Sequence, residues 1–345
     1  MKLRDLQLRN FRCFESIAAE FSPGFNFIVG ANGQGKTTLL EGACVLLRLQ
    51  SQRSSSLAPA VRVGQRSFVV SGHADEHLLQ FYYSPLRRKV AFDGIEQRDQ
   101  AEYLRLARVV SFANHDLDLI RGPAELRRRY LDFIGSQVEA RYRSALRAYG
   151  RALRARNALL KSPQPRAREL AAYTEPLVRA GSLLLKMRAA LVHRLAPFAV
   201  ASQSAISCEK ESLVLEYAPG CEKDFAAHLA RTRPEEERLR LTTVGPHRDD
   251  LHLQVQAMPA AQFASEGQQR TIALALKLAQ AQVLTEDSPS APLLLIDDIF
   301  GELDIARRNA FLAHLPNESQ KFVTATSLAW REGELEGPIL RLPDL

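Results

Sequence analysis

Residues 24–49 read GFNFIVGANGQGKTTLLEGACVLLRL, and this stretch decides the fold. A short apolar run at residues 25–29 favours a β-strand and ends at Gly30. Residues 30–37 then match the pattern G-x-x-x-x-G-K-[ST] at every fixed position. Leucine and alanine residues recur at helical spacing between residues 39 and 47. The stretch therefore predicts a strand, a glycine-rich loop and a helix, in that order.

A loop of this kind binds phosphate groups. Its glycines let the backbone curl around an anion with the N–H groups turned inward, and the following helix adds the partial positive charge of its N-terminus. Lys36, a predicted catalytic residue, can reach the β- and γ-phosphates, and the Thr37 hydroxyl can ligate Mg²⁺. The simpler alternative is a glycine-rich turn that binds nothing. The predicted nucleotide-binding residues of the loop are Gly30, Ala31, Asn32, Gly33, Gln34, Gly35, Lys36, Thr37 and Thr38.

A second apolar run ends in two adjacent acidic residues. Residues 293–304 read LLLIDDIFGELD, which predicts a buried parallel strand that delivers Asp297 and Asp298 at its end. Because ligands of open α/β sheets bind at the carboxyl ends of the strands, we expect both carboxylates beside the phosphate loop. Asp297 is the predicted Mg²⁺ ligand together with Thr37, and Asp298 is the predicted catalytic residue that orients or deprotonates water. The alternative is an acidic strand end that caps the next helix.

A third pattern opens a helix about 30 residues before Asp297. The sequence Ser265-Glu266-Gly267-Gln268 combines a hydroxyl, a glycine backbone and a helix N-terminus, which together can cradle an anion. Since the phosphate loop already serves one nucleotide, we predict that Ser265 closes on the γ-phosphate held by another subunit. Taken alone, the pattern is also typical of an ordinary helix cap.

Composition and charge limit the class of protein. The chain has 345 residues, 46% hydrophobic and 25% charged, and it has no apolar run of about 18 residues that would span a membrane. We therefore expect a cytoplasmic protein. Residues 121–194 contain 17 Lys and Arg against 5 Asp and Glu, although the whole chain carries only +7. This window is a candidate nucleic-acid surface, and the alternative is a solvated helical face.

The other segments predict an α/β head with additional β-structure. Residues 3–21 are expected to form a hairpin, and alternating segments between residues 67 and 92 predict an antiparallel β region. A charged helix is predicted over residues 223–239, and residues 321–326 are expected to form a last βα unit that completes the sheet.

Two helical blocks in the basic window predict an antiparallel arm. They cover residues 124–160 and 169–203, and a proline pair at positions 163 and 165 separates them. Gly135 and Gly150 are the chief expected interruptions of the first block. The predicted domains are the N-terminal part of a nucleotide-binding head (1–113), the helical lobe (114–240) and the C-terminal part of the head (241–345).

The order of these motifs resembles the ATPase heads of the ABC, SMC and Rad50 superfamily, and more closely the RecF family. The closer part of the resemblance lies in two segments, Arg127–Asp132 (RRRYLD) and Gly245–Leu251 (GPHRDDL). Residues 8–12, 29–38, 122–123, 265–270 and 295–304 carry the rest, so the match spans nearly the whole chain.

The resemblance implies an ABC-type, SMC/Rad50-like P-loop ATPase with an inserted helical lobe. It implies that Arg12 contributes to nucleotide binding, and that ATP drives formation of a homodimer in which Ser265, Gly267 and Gln268 cover the partner's nucleotide, with Ser265 and Gln268 acting in catalysis. It also implies slow, DNA-stimulated ATP hydrolysis, DNA binding at gaps or junctions, and partnership with RecR and RecO in loading recombinase.

The sequence argues against two other classes of ATPase. A transporter subunit would need an L-S-G-G-Q signature and a membrane partner, and the sequence lacks that pentapeptide. A nuclease-coupled ATPase of phage defence would need a further domain, and about 40 residues follow Asp304, too few for one. A RecF-like or SMC-like ATPase of another DNA-maintenance or phage-defence system remains the alternative.

Overall fold

The computed structural model describes residues 2–54, 56–97, 100–105, 107–162, 167–207, 211–288, 290–330 and 335–342. They form two compact units, residues 1–116 with 280–345 and residues 117–279. No helix in these described ranges is long and apolar enough to cross a membrane. Cys13, Cys44 and Cys221 are free thiols, and Cys208 lies outside the described residues.

The strands are numbered in chain order. They are β1 (Asp5–Phe11), β2 (Phe14–Glu20), β3 (Phe25–Val29), β4 (Phe68–Ala74), β5 (His77–Tyr83), β6 (Arg88–Phe92), β7 (Ile95–Glu96), β8 (Val109–Ala113), β9 (Leu213–Ala218), β10 (Asp250–Val255), β11 (Met258–Pro259), β12 (Leu293–Asp297), β13 (Lys321–Ala325) and β14 (Ile339–Arg341).

The α-helices follow the same order. They are α1 (Lys36–Arg48), α2 (Ala101–Arg105), α3 (Asp118–Arg121), α4 (Ala124–Val138), α5 (Tyr142–Leu160), α6 (Ala167–Ser207), α7 (Phe225–Arg231), α8 (Arg233–Leu239), α9 (Ala260–Phe263), α10 (Glu266–Glu286) and α11 (Ile305–Ala313).

The first unit contains an antiparallel six-stranded sheet in the order β2-β1-β4-β5-β6-β7. The hairpin predicted at residues 3–21 is confirmed as β1 and β2, which pair from Asp5 with Glu20 to Phe11 with Phe14. The antiparallel β region predicted between residues 67 and 92 is confirmed as β4, β5 and β6. Buried apolar residues alternate with exposed polar ones along β1, as expected for a sheet with one covered face.

The same unit contains a parallel five-stranded sheet in the order β14-β3-β13-β12-β8. Strand β12 lies between β13 and β8 and all five of its residues are buried, which confirms the predicted central parallel strand. The strand predicted at residues 321–326 is present as β13, but the prediction that it completes the sheet is wrong, because β14 follows it and pairs with β3. Helix α1 contacts strands of both sheets, and a side chain at Gly42 would overlap that of Leu8. The phosphate loop thus starts from a buried strand and ends in a buried helix.

The second unit contains the predicted antiparallel helical arm, which is confirmed as α5 and α6. Tyr142 contacts Arg188, and two turns further along α5 the Tyr149 ring packs against Gly181. The residue numbers of these contacts rise along α5, from 142 to 149, and fall along α6, from 188 to 181. The two helices are therefore antiparallel. The break predicted at Pro163 and Pro165 lies outside the described residues.

The interruptions predicted at Gly135 and Gly150 are wrong. Both glycines lie inside helices, and the chain breaks at residues 139–141 between α4 and α5. A Cβ at Gly135 would overlap the Tyr142 ring, so this glycine provides room for a side chain of the next helix. The single helix predicted over 223–239 is likewise two helices, α7 and α8, with Pro234 in the first turn of the second.

Residues 241–279, predicted with the C-terminal part of the head, group with the helical unit. Strand β10 pairs with β9 across six residues, from Asp250 with Ala218 to Val255 with Leu213. The order of the small sheet is β11-β10-β9.

A buried polar network stabilises this unit. We call it the Arg188 cluster, and it consists of Asp132, Tyr142, Arg188, Tyr217 and Asp249. The Arg188 guanidinium donates to Asp249 Oδ2 at 2.6 Å and to Asp132 Oδ1 at 2.8 Å. The Tyr142 hydroxyl donates to Asp132 Oδ1, and the Tyr217 hydroxyl to Asp249 Oδ2, each at 2.6 Å. The two segments that carry the closer family resemblance therefore meet in one network.

Candidate nucleotide-binding site

The glycine-rich loop has the backbone that the motif requires. Gly33 and Gly35 adopt φ values of 87° and 91°, in the left-handed region that favours glycine. A Cβ at Gly35 would also overlap the Phe14 ring of β2, so two independent constraints select glycine there. Helix α1 begins at the next residue, Lys36, and its N-terminus faces the loop.

Lys36 lies within the loop. Its Nζ atom donates to the carbonyl oxygens of Gly30 and Ala31 at 2.7 and 2.9 Å. The Gln34 side-chain oxygen accepts from Ala31 N at 2.6 Å and so ties the two ends of the turn together. The ammonium group is therefore held among backbone dipoles, where an anion would find a preformed positive site.

The loop borders a pocket of about 500 Å³. Residues of the motif line it, together with Asp298 and with residues of the β1–β2 turn and of the segment after α1. They are Arg12, Cys13, Asn32, Gly33, Gly35, Lys36, Thr37, Thr38, Arg53, Pro59, Val61, Val63 and Asp298. Most of the predicted nucleotide-binding residues of this unit therefore share one pocket, to which Pro59, Val61 and Val63 add an apolar lining.

The structure brings Thr37 and Asp297 together across 260 residues of sequence. The Thr37 hydroxyl donates to Asp297 Oδ1 at 3.0 Å, and the Thr324 hydroxyl donates to the same oxygen at 2.7 Å. Asp297 is not itself among the pocket-lining residues and is reached through Thr37. One carboxylate and one hydroxyl fit Mg²⁺, which takes many of its ligands from phosphates and water.

Asp298 lines the pocket one residue beyond β12. Its φ of 51° is unusual for a residue with a side chain, and such strain is concentrated at functional positions. Burial raises the pKa of the Asp298 carboxyl; Lys36 opposes this rise, and the neighbouring Asp297 adds to it. The next helix, α11, is capped by Asp304, whose Oδ1 accepts from Arg307 N at 2.8 Å. The alternative role predicted for Asp297 and Asp298, capping the next helix, is therefore taken by Asp304.

Ser265 and Gln268 lie in the second unit, at the start of α10. The Ser265 hydroxyl accepts from Gln268 N at 3.3 Å, and the Gln268 side-chain oxygen accepts from Ser265 N at 2.8 Å. This reciprocal pair is a capping box, so the cap suggested by the sequence is present. Ser265 is exposed, and Gly267 follows in the first turn of the helix. Glu266 pairs with Arg270, which lowers the pKa of its carboxyl.

Three charged residues beside the loop form a group that the sequence only partly predicted. Arg12 was expected there, whereas Glu41 on α1 and Arg53 after it were not. The available signal in the sequence was a single acid, Glu41, within the apolar run of α1. A carboxylate at a buried position is rarely unpaired, so it indicates a charged partner.

The basic window of residues 121–194 divides into two kinds of arginine. Arg156 and Arg188 are almost fully buried in ion pairs and stabilise the unit. Arg147, Arg151 and Arg154 are exposed on α5, three and four residues apart, and therefore on one face of the helix.

Comparisons with known proteins agree with these observations. The family model described as the RecF/RecN/SMC N terminal domain matches residues 2–332. The DNA replication and repair protein RecF of Symbiobacterium thermophilum is 39% identical over 345 residues, covering 95% of this chain and 92% of that protein.

Solved structures are similar over almost the full chain. The recombination mediator protein RecF-ATP of the RecFOR pathway superposes with a TM-score of 0.89 at 28% identity, covering 99% of this chain and 95% of that one. The Smc head domain of Pyrococcus furiosus, at 17% identity and a TM-score of 0.52 over 94% of this chain and 89% of that one, has the same fold. The predicted ABC-type, SMC-like head is confirmed, and the chain belongs to the RecF family.

Proposed function

We propose that this chain is a cytoplasmic, ATP-dependent DNA-binding protein of recombinational repair and replication restart. The observation that carries the proposal is the 3.0 Å contact between Thr37 and Asp297, which joins the phosphate loop to the acidic strand end. The pocket beside this contact is lined by Lys36 and Asp298. A relative of similar fold is described as RecF-ATP, which supports ATP as the nucleotide.

The residues of the site suggest how ATP would be bound and cleaved. The loop N–H groups and Lys36 would hold the β- and γ-phosphates, and Thr37 with Asp297 would hold Mg²⁺. The metal would neutralise charge on the phosphates as the bond breaks. Asp298 would orient the attacking water and accept its proton, because a carboxyl with a raised pKa is a better base than an ordinary one.

A second subunit would complete the site. The start of α10 presents Ser265, Gly267 and Gln268 with a helix N-terminus, which suits the γ-phosphate of a partner molecule. The Glu266–Arg270 pair partly neutralises the acid in this cradle. ATP-dependent dimerisation would then couple nucleotide binding to closure on DNA, and hydrolysis to release.

DNA is the proposed polyanionic partner, in the form of gaps or junctions. The exposed arginines of α5 support phosphate contacts. RecR and RecO are proposed protein partners because the RecF relative is described as part of the RecFOR pathway. In that setting the protein would help load recombinase onto single-stranded DNA.

The test is ATP hydrolysis measured against protein concentration, with and without a gapped DNA duplex. We expect slow turnover that DNA stimulates, and a specific activity that rises with concentration because two subunits form each site. A specific ATPase activity that changes neither with DNA nor with protein concentration would contradict the proposal.

Substitution of Ser265 separates binding from dimerisation. Ser265→Arg should retain ATP binding by the monomer, while sedimentation in ATP should show no dimer, because the bulky cation fills the proposed contact. An undiminished dimer would exclude this surface. Ser144→Arg, at another exposed serine of the second unit, is the matched control.

A further inference from the structure

A single acid is buried in helix α1 behind the nucleotide pocket. Glu41 lies among apolar residues and its side chain is 0% exposed. A buried carboxylate is costly unless its oxygens accept hydrogen bonds from charged or polar groups. The partners of Glu41 therefore indicate why an acid is present at this position.

Both oxygens of Glu41 accept two hydrogen bonds. Oε1 accepts from Arg12 Nη2 at 2.7 Å and from the Ser51 hydroxyl at 2.6 Å. Oε2 accepts from Arg12 Nε at 3.0 Å and from Arg53 Nη1 at 3.5 Å. The contact with Arg12 is two-pronged, which fixes the plane of the guanidinium as well as its position.

Arg12 is held from its other side too. Its Nη1 atom donates to the carbonyl oxygen of Pro59 at 2.8 Å, and its backbone N donates to Ala60 O at 2.8 Å. Its backbone has a φ of 53°, in the left-handed region, within the turn between β1 and β2. A residue kept in this strained conformation by several contacts is pre-positioned.

Both arginines that contact Glu41 line the pocket that contains Lys36. Among the residues that the structure describes, Glu41 and Pro59 leave one N–H on each of Arg12 Nη1 and Nη2 for a ligand. Its side chain is 22% exposed, against 0% for Glu41. The Glu41 carboxylate is therefore buried behind the pocket, whereas the Arg12 guanidinium lines it.

We infer that Glu41 is a positioning residue of the nucleotide site, which fixes the Arg12 guanidinium in the plane where its remaining N–H groups meet the bound nucleotide. Arg53 makes only a longer contact with the same carboxylate, at 3.5 Å, so Glu41 acts chiefly through Arg12. The inference rests on the proposed function, because it requires that the pocket binds ATP.

Electrostatics and positioning make opposite predictions for Glu41→Gln. Removal of a negative charge beside a phosphate pocket should strengthen ATP binding if charge alone matters. If Glu41 acts by positioning, binding should weaken, because the amide keeps one oxygen acceptor while its NH₂ group meets a guanidinium N–H, which breaks the two-pronged contact that orients the arginine. The direction of the change in ATP affinity therefore distinguishes a purely electrostatic role of Glu41 from a positioning role.

The experiment measures the Kd for ATP by titration calorimetry in four variants. We expect Glu41→Gln to weaken binding about tenfold and Arg12→Ala to weaken it at least as much. In the Arg12→Ala background, Glu41→Gln should have little further effect, because a positioning residue acts through the side chain it positions. Glu15→Gln, on β2 with an exposed side chain, is the matched control and should bind as the wild type does.

Arg12→Lys keeps the test decisive if Glu41→Gln folds poorly, which circular dichroism would reveal. It retains the charge of a partly exposed side chain but cannot form the two-pronged contact, so it should weaken binding to a similar degree. Unchanged or tighter binding by Glu41→Gln, or additive effects in the double variant, would overturn the inference. A wild-type protein that binds no ATP would instead overturn the proposed function.

Discussion

Lys36 and Asp298 in the first unit line a pocket of about 500 Å³, whereas Arg188 and Asp249 in the second unit are buried against each other. The Arg188 cluster satisfies its own hydrogen bonds, and its arginine and Asp249 are 3% and 0% exposed. Lys36 is also largely buried, but both Lys36 and Asp298 border the pocket, where a ligand can reach them. Burial and mutual satisfaction are typical of structural groups, and convergence on a pocket is typical of chemical ones.

The largest effect is expected in the first unit. Lys36→Ala should reduce ATP turnover about 10³-fold or more, because the ammonium neutralises phosphate charge as it develops. The melting temperature should change little. Lys89→Ala, a partly exposed lysine of the same unit, is the control for loss of a positive charge. If Lys36→Ala leaves steady-state ATP hydrolysis unchanged, this pocket is not the nucleotide site.

The reverse pattern is expected for the Arg188 cluster. Arg188→Met leaves the buried Asp249 and the partly buried Asp132 without their counter-ion and should lower the free energy of unfolding by about 3–5 kcal/mol. Urea denaturation of the full chain measures this, with Arg179→Met on the exposed face of α6 as the control. ATP affinity at temperatures where the variant is folded should match the wild type, and a selective loss of ATP binding without destabilisation would contradict the comparison.

A smaller, pH-dependent effect is expected at His247. Its Nδ1 accepts from the Tyr149 hydroxyl at 2.6 Å and its Nε2 donates to Thr242 O at 2.9 Å. Burial lowers the pKa of His247 to about 4, the hydrogen bond to Thr242 opposes this, and nearby arginines lower it further. Because the unfolded chain binds the proton more tightly, the stability contributed by neutral His247 is present above about pH 6.5 and is lost as the pH falls towards 4.

The free energy of unfolding of wild type and His247→Gln, measured at pH 7.5 and pH 4.5, tests this. The wild type should lose roughly 2–3 kcal/mol more than the variant over that interval. Equal losses in the two proteins would show that His247 titrates as an exposed histidine does.

The smallest effect is expected at the surface of the arm. Reversal of Arg147, Arg151 and Arg154 to glutamate should weaken binding to a gapped duplex about tenfold or more and reduce its dependence on salt, because fewer phosphates are neutralised. Fluorescence anisotropy in a series of KCl concentrations measures both. Reversal of the exposed Arg66, Arg87 and Arg88 in the first unit makes the same change of charge. Equal losses in the two triple variants would move the DNA contact away from the arm.

Local patterns predicted the parts of the site that one stretch of chain builds. The loop at residues 30–37 and the acidic end of β12 each follow from a short motif, because glycine conformation and strand burial are local properties. The arm was predicted for the same reason, since its two blocks of strong helix formers are separated by a proline pair.

Contacts between distant segments were harder to predict. Glu41 on α1 contacts Arg12 in the turn between β1 and β2, and Gly135 on α4 makes room for the Tyr142 ring of α5. Neither role has a local sequence signature. The Arg188 cluster joins three helices, a strand and a turn, which no periodicity links. A glycine within a helical pattern indicates either a break or close packing, and only the packed structure distinguishes them.

Magnesium-dependent ATP binding by Asp297→Asn tests the central claim most directly. Asparagine can still accept from Thr37 and Thr324 but is a weaker magnesium ligand, so the fold should be retained. The wild type should bind ATP more tightly in Mg²⁺ than in EDTA, and Asp297→Asn should lose that difference together with hydrolysis, while Asp304→Asn should keep both. A protein in which Asp297→Asn retains the full effect of magnesium would contradict the account.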